Sequence, residues 1–169
     1  MDAIDAILSR RSIRKYRPDP IPAQLIDELL AAAMSAPSAS NGQPWHFVII
    51  TERRILDDIP RVHPYSQMLN QAPLAIVVCG DLRVSGSEAW WVQDCSAATE
   101  NLLLAAHAKG LGAVWLGVHP SKERVAGIQK LLRLPEHIVP LCIISMGFPA
   151  ESKPPANRYD ATKIHRNQW

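Results

Sequence analysis

The chain has 169 residues, 18 Lys and Arg against 16 Asp and Glu, and a formal net charge of +2 at pH 7. With 47% hydrophobic and 20% charged residues it has the make-up of a soluble globular protein, and its length predicts one domain over 1–169 with a proper core. So small a charge excludes whole-surface attraction to nucleic acid or acidic membrane, so any anion site has to be local.

The N-terminal MDAIDAILSRR is acidic with a short apolar stretch, which predicts no secretory leader. No apolar run reaches about 18 residues, so no membrane span is expected. Ile4, Ile7 and Leu8 recur at i, i+3, i+4 and predict a first helix. The basic run SRRSIRKY follows at 9–16, and then Pro18, Pro20 and Pro22 hold the path extended. Pro22 suits the opening of a second helix, where its missing N–H costs nothing. That helix runs through Met34 with Leu25, Ile26, Leu29, Leu30 and Ala33 on its apolar face.

PSASNGQPW, 37–45, is a loop by composition. HFVIIT, 46–51, predicts a short buried strand, ERRILDDI a short helix ended by Pro60, and HPYSQMLNQAP an irregular or partly helical stretch. PLAIVVCG, 73–80, is the clearest central strand. After a loop DLRVSGSE comes the longest helix candidate, 89–109, apolar nearly all round and so buried on more than one side. Gly110 caps it, AVWLGV is a strand, Ser121 to Leu132 an amphipathic helix, and IVPLCIISMGF the last strand. Helices and strands mix without strict βα alternation, which predicts an α+β fold. An all-round apolar helix in so small a domain also points to a symmetric dimer.

Cys79, Cys95 and Cys142 are odd in number and far apart, without metal-ligand spacing, so no metal site is expected. Small buried thiols in a reducing cytoplasm are expected instead. GLGAVWLG invites a dinucleotide-loop reading, but that loop needs a strand before its glycines and a helix after, and here the order is reversed. The basic run has three competing readings. It is a solvated helix end, a nucleic-acid patch, or a socket for a small anion. No recognition helix or aromatic platform accompanies it, which weighs against nucleic acid. In RRSIR two adjacent guanidiniums, a hydroxyl and a third guanidinium would suit a phosphate monoester with a polyol tail. In the 37–45 loop, Asn41 and Gln43 offer amides able to donate and accept at a heterocycle edge. Gly117, at a strand end, allows close approach of a flat ligand.

Taken in order, RRSIR, PSASNGQPWHF, QDCSAATENLLLAAHAKGLGAVWLG and the basic tail resemble the nitroreductase family of flavoenzymes in its compact form, over essentially the whole chain. The resemblance implies a nitroreductase-like α+β fold, a central mixed or antiparallel sheet flanked by helices in an interlocked homodimer, with FMN at the subunit interface. Arg10, Arg11, Ser12 and Arg14 match the first flavin segment, which contacts phosphate, ribityl chain and ring. Pro37, Ser38, Ala39, Ser40, Asn41 and Gln43 match the second, which reaches the other subunit's flavin. Leu116 and Gly117 match the strand end beside the reactive ring edge, and Arg158 the C-terminal cation at the phosphate. From HPYSQMLNQAP no residue carries over.

FMN's phosphate bears about two negative charges, which the arginines would neutralise together. The implied activity relays hydride through the flavin from NADH or NADPH to a small-molecule acceptor such as a nitroaromatic or quinone, with ping-pong kinetics. No side chain is needed as a catalytic acid, base or nucleophile. Two alternatives are a same-fold flavoenzyme of other chemistry (dehydrogenation, dehalogenation, flavin breakdown) and a non-catalytic FMN binder. Neither nucleic acid nor membrane is an expected partner.

Overall fold

A computed structural model describes residues 1–84 and 87–169, and of Ser87 the backbone alone. The elements are α1 (Ala3–Ser9), α2 (Ala23–Met34), β1 (Trp45–Ile50), α3 (Arg53–Val62), β2 (Leu74–Asp81), α4 (Ser87–Ala108), β3 (Gly112–Gly117), α5 (Lys122–Leu132) and β4 (Ile138–Gly147). The strands form one sheet in the order β1-β2-β4-β3, with every neighbouring pair antiparallel. The α+β expectation is met, and of the two sheet types foreseen the antiparallel one is present. Part of the predicted loop DLRVSGSE, Ser85 and Gly86, lies outside the described residues.

Side chains alternate along a strand, so a continuous apolar run can fill two cores at once. β2 does so. Leu74, Ile76 and Val78 join the core under α2 and α4, while Ala75, Val77 and Cys79 join the one under α3 and α5. Both middle strands, β2 and β4, are covered on both faces, which explains why they read as uninterrupted hydrophobic stretches. All three cysteines are buried free thiols. Among the described residues no helix is long and apolar enough to cross a membrane.

One predicted boundary is overturned. Helix α3 does not stop at Pro60 but runs on to Val62. Lying in the last turns, the proline removes only the amide that would serve the Leu56 carbonyl, and the Ile59 carbonyl still receives the His63 amide at 2.9 Å. Pro140 sits where the β2–β4 register shifts, between Val78 and Cys79 on β2. Beside that irregularity the Leu141 carbonyl is free to accept the amides of Val118 and His119, each at 3.0 Å. The end of β3 is thereby pinned, and the candidate site lies there.

Candidate functional site at the outer edge of strand β3

β3 is an outer strand, and the basic segment lies along its open edge. Ser12 bridges Ala113 in parallel, and the Ile13 amide donates to the Ala113 carbonyl at 3.0 Å. This contact needs Gly112, because a Cβ there would come within 2.6 Å of Ile13 Cγ2. Buried Tyr16 locks the segment from inside, its hydroxyl donating to Ile13 O (2.6 Å) with Ser145 O also near (3.1 Å). The C-terminal tail closes over it. Arg17 N donates to Phe148 O, Ala150 N to Lys15 O, and Arg14 N to Glu151 Oε1 at 2.7 Å. That amide, followed by Lys153, holds the Glu151 carboxyl below its ordinary range.

The arginines of this segment fan out: Arg10 closes the end of α1, Arg11 points the opposite way, and Arg14 lies farther along the β3 edge. Arg10 turns to α4, its Nε 3.5 Å from Glu100 Oε1. Arg11 turns to backbone carbonyls. Its Nε donates to Pro154 O and its Nη1 to Leu8 O and Arg10 O, so it staples the end of α1 to the tail. Arg14 enters a cavity of about 400 Å³ with Leu116, Gly117, Trp115, His63, Tyr65, Gln67, Met68 and Arg124. Arg158 is exposed on the tail. The family resemblance implies a cluster of guanidiniums around a phosphate; within this chain Arg10, Arg11 and Arg14 face three different surroundings.

Gly117 lines this cavity. Its φ is outside the left-handed region, and a Cβ built on it would meet no atom within 4 Å. Neither backbone conformation nor packing therefore requires glycine here; the vacant volume suits a ligand lying flat against the strand end. The Gly117 carbonyl accepts from His63 Nε2 (2.9 Å) and Arg124 Nη1 (3.0 Å). A carbonyl only accepts, so His63 carries its proton on Nε2. Its Nδ1 is buried and has no partner among the described residues, and the residue is 1% exposed.

The second segment lies at the same end of the sheet but on its far edge. It leads into β1, separated from β3 by β2 and β4, roughly 14 Å of strand spacings away. Asp94 of α4, itself buried, accepts the Ala39 amide at 3.0 Å, and Ser38 Oγ accepts the Gln43 amide. Ser40, Asn41 and Gln43 all have positive φ (51°, 55° and 49°) and stand exposed, with Gln43 Nε2 donating to Asn41 Oδ1. Three non-glycine residues in that region within four positions is a strained presentation, of the kind that clusters at binding sites. The second segment thus shares an end of the sheet with Gly117, whereas Ser12 is bridged to Ala113 near the other end of β3, and one chain does not bring the two segments together.

The Nitroreductase family model matches residues 7–62 and 58–148. The chain belongs to the nitroreductase family. It is 48% identical to a candidate NADH dehydrogenase/NAD(P)H nitroreductase of Methanothermobacter thermautotrophicus, over 100% of this chain and 88% of that one. The crystal structure of a candidate NADH dehydrogenase/NAD(P)H nitroreductase from Parabacteroides distasonis superposes with a TM-score of 0.95 at 46% identity, covering 99% and 98% of the two chains. A candidate nitroreductase from Desulfovibrio desulfuricans, solved in complex with FMN, superposes at 0.86 with 30% identity, covering 100% and 98%. This nitroreductase-family chain carries in its cavity several residues that sequence reasoning passed over: His63, Tyr65, Gln67, Met68 and Arg124. The first four fall in HPYSQMLNQAP, which has no periodicity. Arg124 looks like one more charge on an amphipathic helix, and nothing local marks either group.

Proposed function

We propose that this protein is an FMN-dependent NAD(P)H oxidoreductase acting as a homodimer in the reducing cytoplasm, with a small organic molecule as electron acceptor. The observation that carries the reading is the empty space beside Gly117, walled by Arg14, Leu116 and Trp115. When bound, FMN supplies two-electron exchange between a nicotinamide and an acceptor, chemistry that no side chain here can perform.

The chain's own residues bind and orient. Arg14 offers a positive charge at the ring, where it would steady negative charge on the reduced cofactor. Leu116 and Gly117 form the flat wall. Arg10 and Ser12 serve the ribityl and phosphate end, and Arg158 is the further cation for the phosphate. Arg11 contributes by tying the tail to α1, so that the segment stays on the β3 edge. Pro37, Ser38, Ala39, Ser40, Asn41 and Gln43 would reach the cofactor of the other subunit, which is why their own chain holds them at the far edge.

A dimer is favoured by apolar surface left open. On α1, Ile4, Ile7 and Leu8 are 63%, 53% and 67% exposed. They continue into a shallow groove lined by Ala32, Leu104, Ala105 and Ala108. The α4 stripe Trp90, Ala97, Leu104, Ala108 is likewise incompletely covered by its own chain, as the all-round apolar pattern foretold. Three free, buried thiols suit a reducing compartment.

The test is spectroscopic. The purified protein should be yellow, and NADH or NADPH should bleach it; a flavin-loaded protein that neither nicotinamide bleaches would be a binder and no oxidoreductase. Arg14→Ala should weaken FMN by about 1–3 kcal/mol, the size of a charge-assisted bond.

A further inference from the structure

Arg124 belongs to neither flavin segment, yet it lines the same cavity. It stands in the first turn of α5 with Nη1 on the Gly117 carbonyl and its guanidinium carbon 5.2 Å from the centre of the Tyr65 ring. A carbonyl and an aromatic face hold a side chain that would otherwise wander in solvent. Neither of these partners is an anion. Among the described residues no carboxylate lines the cavity and none pairs with Arg124, although Arg14 brings a second positive charge to the same space. One bond to Gly117 leaves most of the guanidinium fork without a protein partner. Of the remaining lining, Met68 is apolar and Gln67 adds an amide, while Trp115 and Leu116 form the wall against which the flavin lies.

On the flavin reading Arg14 answers the cofactor's charge, and Gly117 marks the edge where electrons leave. A cation fixed to that glycine's carbonyl then meets the molecule that receives them. We propose that Arg124 makes the acceptor position selective for anionic aromatic ligands, taking a ring with a carboxylate in preference to its neutral amide. The proposal rests on the flavin reading and adds the charge class of the second ligand to it.

The flavin-loaded protein is titrated with benzoate and benzamide, which are unreactive, following both the perturbed flavin absorbance and the heat of binding. Benzoate should bind about tenfold tighter than benzamide, as one charge-assisted bond allows in a half-open cavity. Arg124→Gln should abolish that preference, Arg124→Lys should retain part of it, and both variants should keep their flavin. Reoxidation of the reduced protein by 4-nitrobenzoate against 4-nitrobenzamide should show the same loss of ratio. Equal binding of the two probes to the unaltered protein would overturn the proposal, and so would a preference that survives in Arg124→Gln. Loss of flavin from Arg124→Gln would overturn it differently, by assigning the guanidinium to the cofactor. An unaltered protein that takes up no flavin would bring down the flavin reading itself, a result visible before any probe is added.

Discussion

Two cavities at opposite ends of the sheet invite comparison. The larger, about 640 Å³, lies between Pro18, Pro20, Ile21, Leu56, Pro73 and Leu74, while the one at the end of β3 is about 400 Å³. Each contains guanidinium, but in opposite states. Arg53, in the larger, is fully engaged, with Nη1 on Ala72 O, Nη2 on Leu69 O and Nε on Asp57 Oδ1. In the smaller, Arg14 and Arg124 have no carboxylate partner among the described residues, and Gly117 leaves a Cβ-sized space open. Volume is a poor guide to function here. What separates the two is how far the protein itself engages the guanidinium: all three nitrogens of Arg53 are bonded, whereas Arg14 and Arg124 keep donors open to water or to a ligand.

The largest effect is expected from filling the space beside Gly117. Gly117→Val should weaken FMN roughly 10- to 100-fold by overpacking the ligand's place. Because the new Cβ meets no protein atom, the melting temperature of the flavin-free protein should stay within about 2 °C. A large drop in that temperature would mean that the vacancy serves the fold. Gly112→Ala makes the contrary case. Its Cβ collides with Ile13, so stability should fall by about 1–3 kcal/mol in thermal unfolding, with flavin loss only as the segment lifts from β3.

Arg53→Ala should cost about 1–3 kcal/mol by stranding the Ala72 and Leu69 carbonyls, yet leave FMN affinity within about twofold. An equilibrium titration with FMN showing a larger change would couple the two cavities. The smallest expected effect concerns the thiols. Burial pushes Cys79, Cys95 and Cys142 each up to about 12, so the native protein should be inert to thiol reagents at neutral pH and react only when unfolded. These native groups hold their protons after unfolded thiols lose theirs. Their contribution to stability is therefore present below the ordinary thiol value near 9 and is lost as pH rises from there towards 12. A denaturation midpoint that rises over that range would contradict the assignment.

Much of the architecture was legible because it is local. The unbroken apolar run PLAIVVCG, the glycine after Lys109 and the apolar faces of α2 and α5 each speak through residues a few positions apart. α4 was placed within two residues of its start, and Gly110 does adopt the positive φ (79°) expected of a helix stop. Pro60 misled because its cost depends on how many amides the helix has left beyond it, which a residue type does not reveal. Leu116, Gly117 and Arg14, each named through a motif, line one cavity. Arg11 matched the same motif, but whether a side chain on an extended segment faces ligand or backbone depends on what packs behind it, here the tail at Pro154.

By itself the amino-acid order determined the family, the α+β class and the segments that present polar groups, since periodicity and motif spacing are written between near neighbours. Only the tertiary structure decided that His63 and Arg124 meet at one carbonyl, that Arg10, Arg11 and Arg14 part company, and that the larger cavity holds a satisfied cation. Those outcomes depend on contacts between elements far apart in the chain, where a hydrogen bond of 3 Å is set by the packing of the sheet and helices around it.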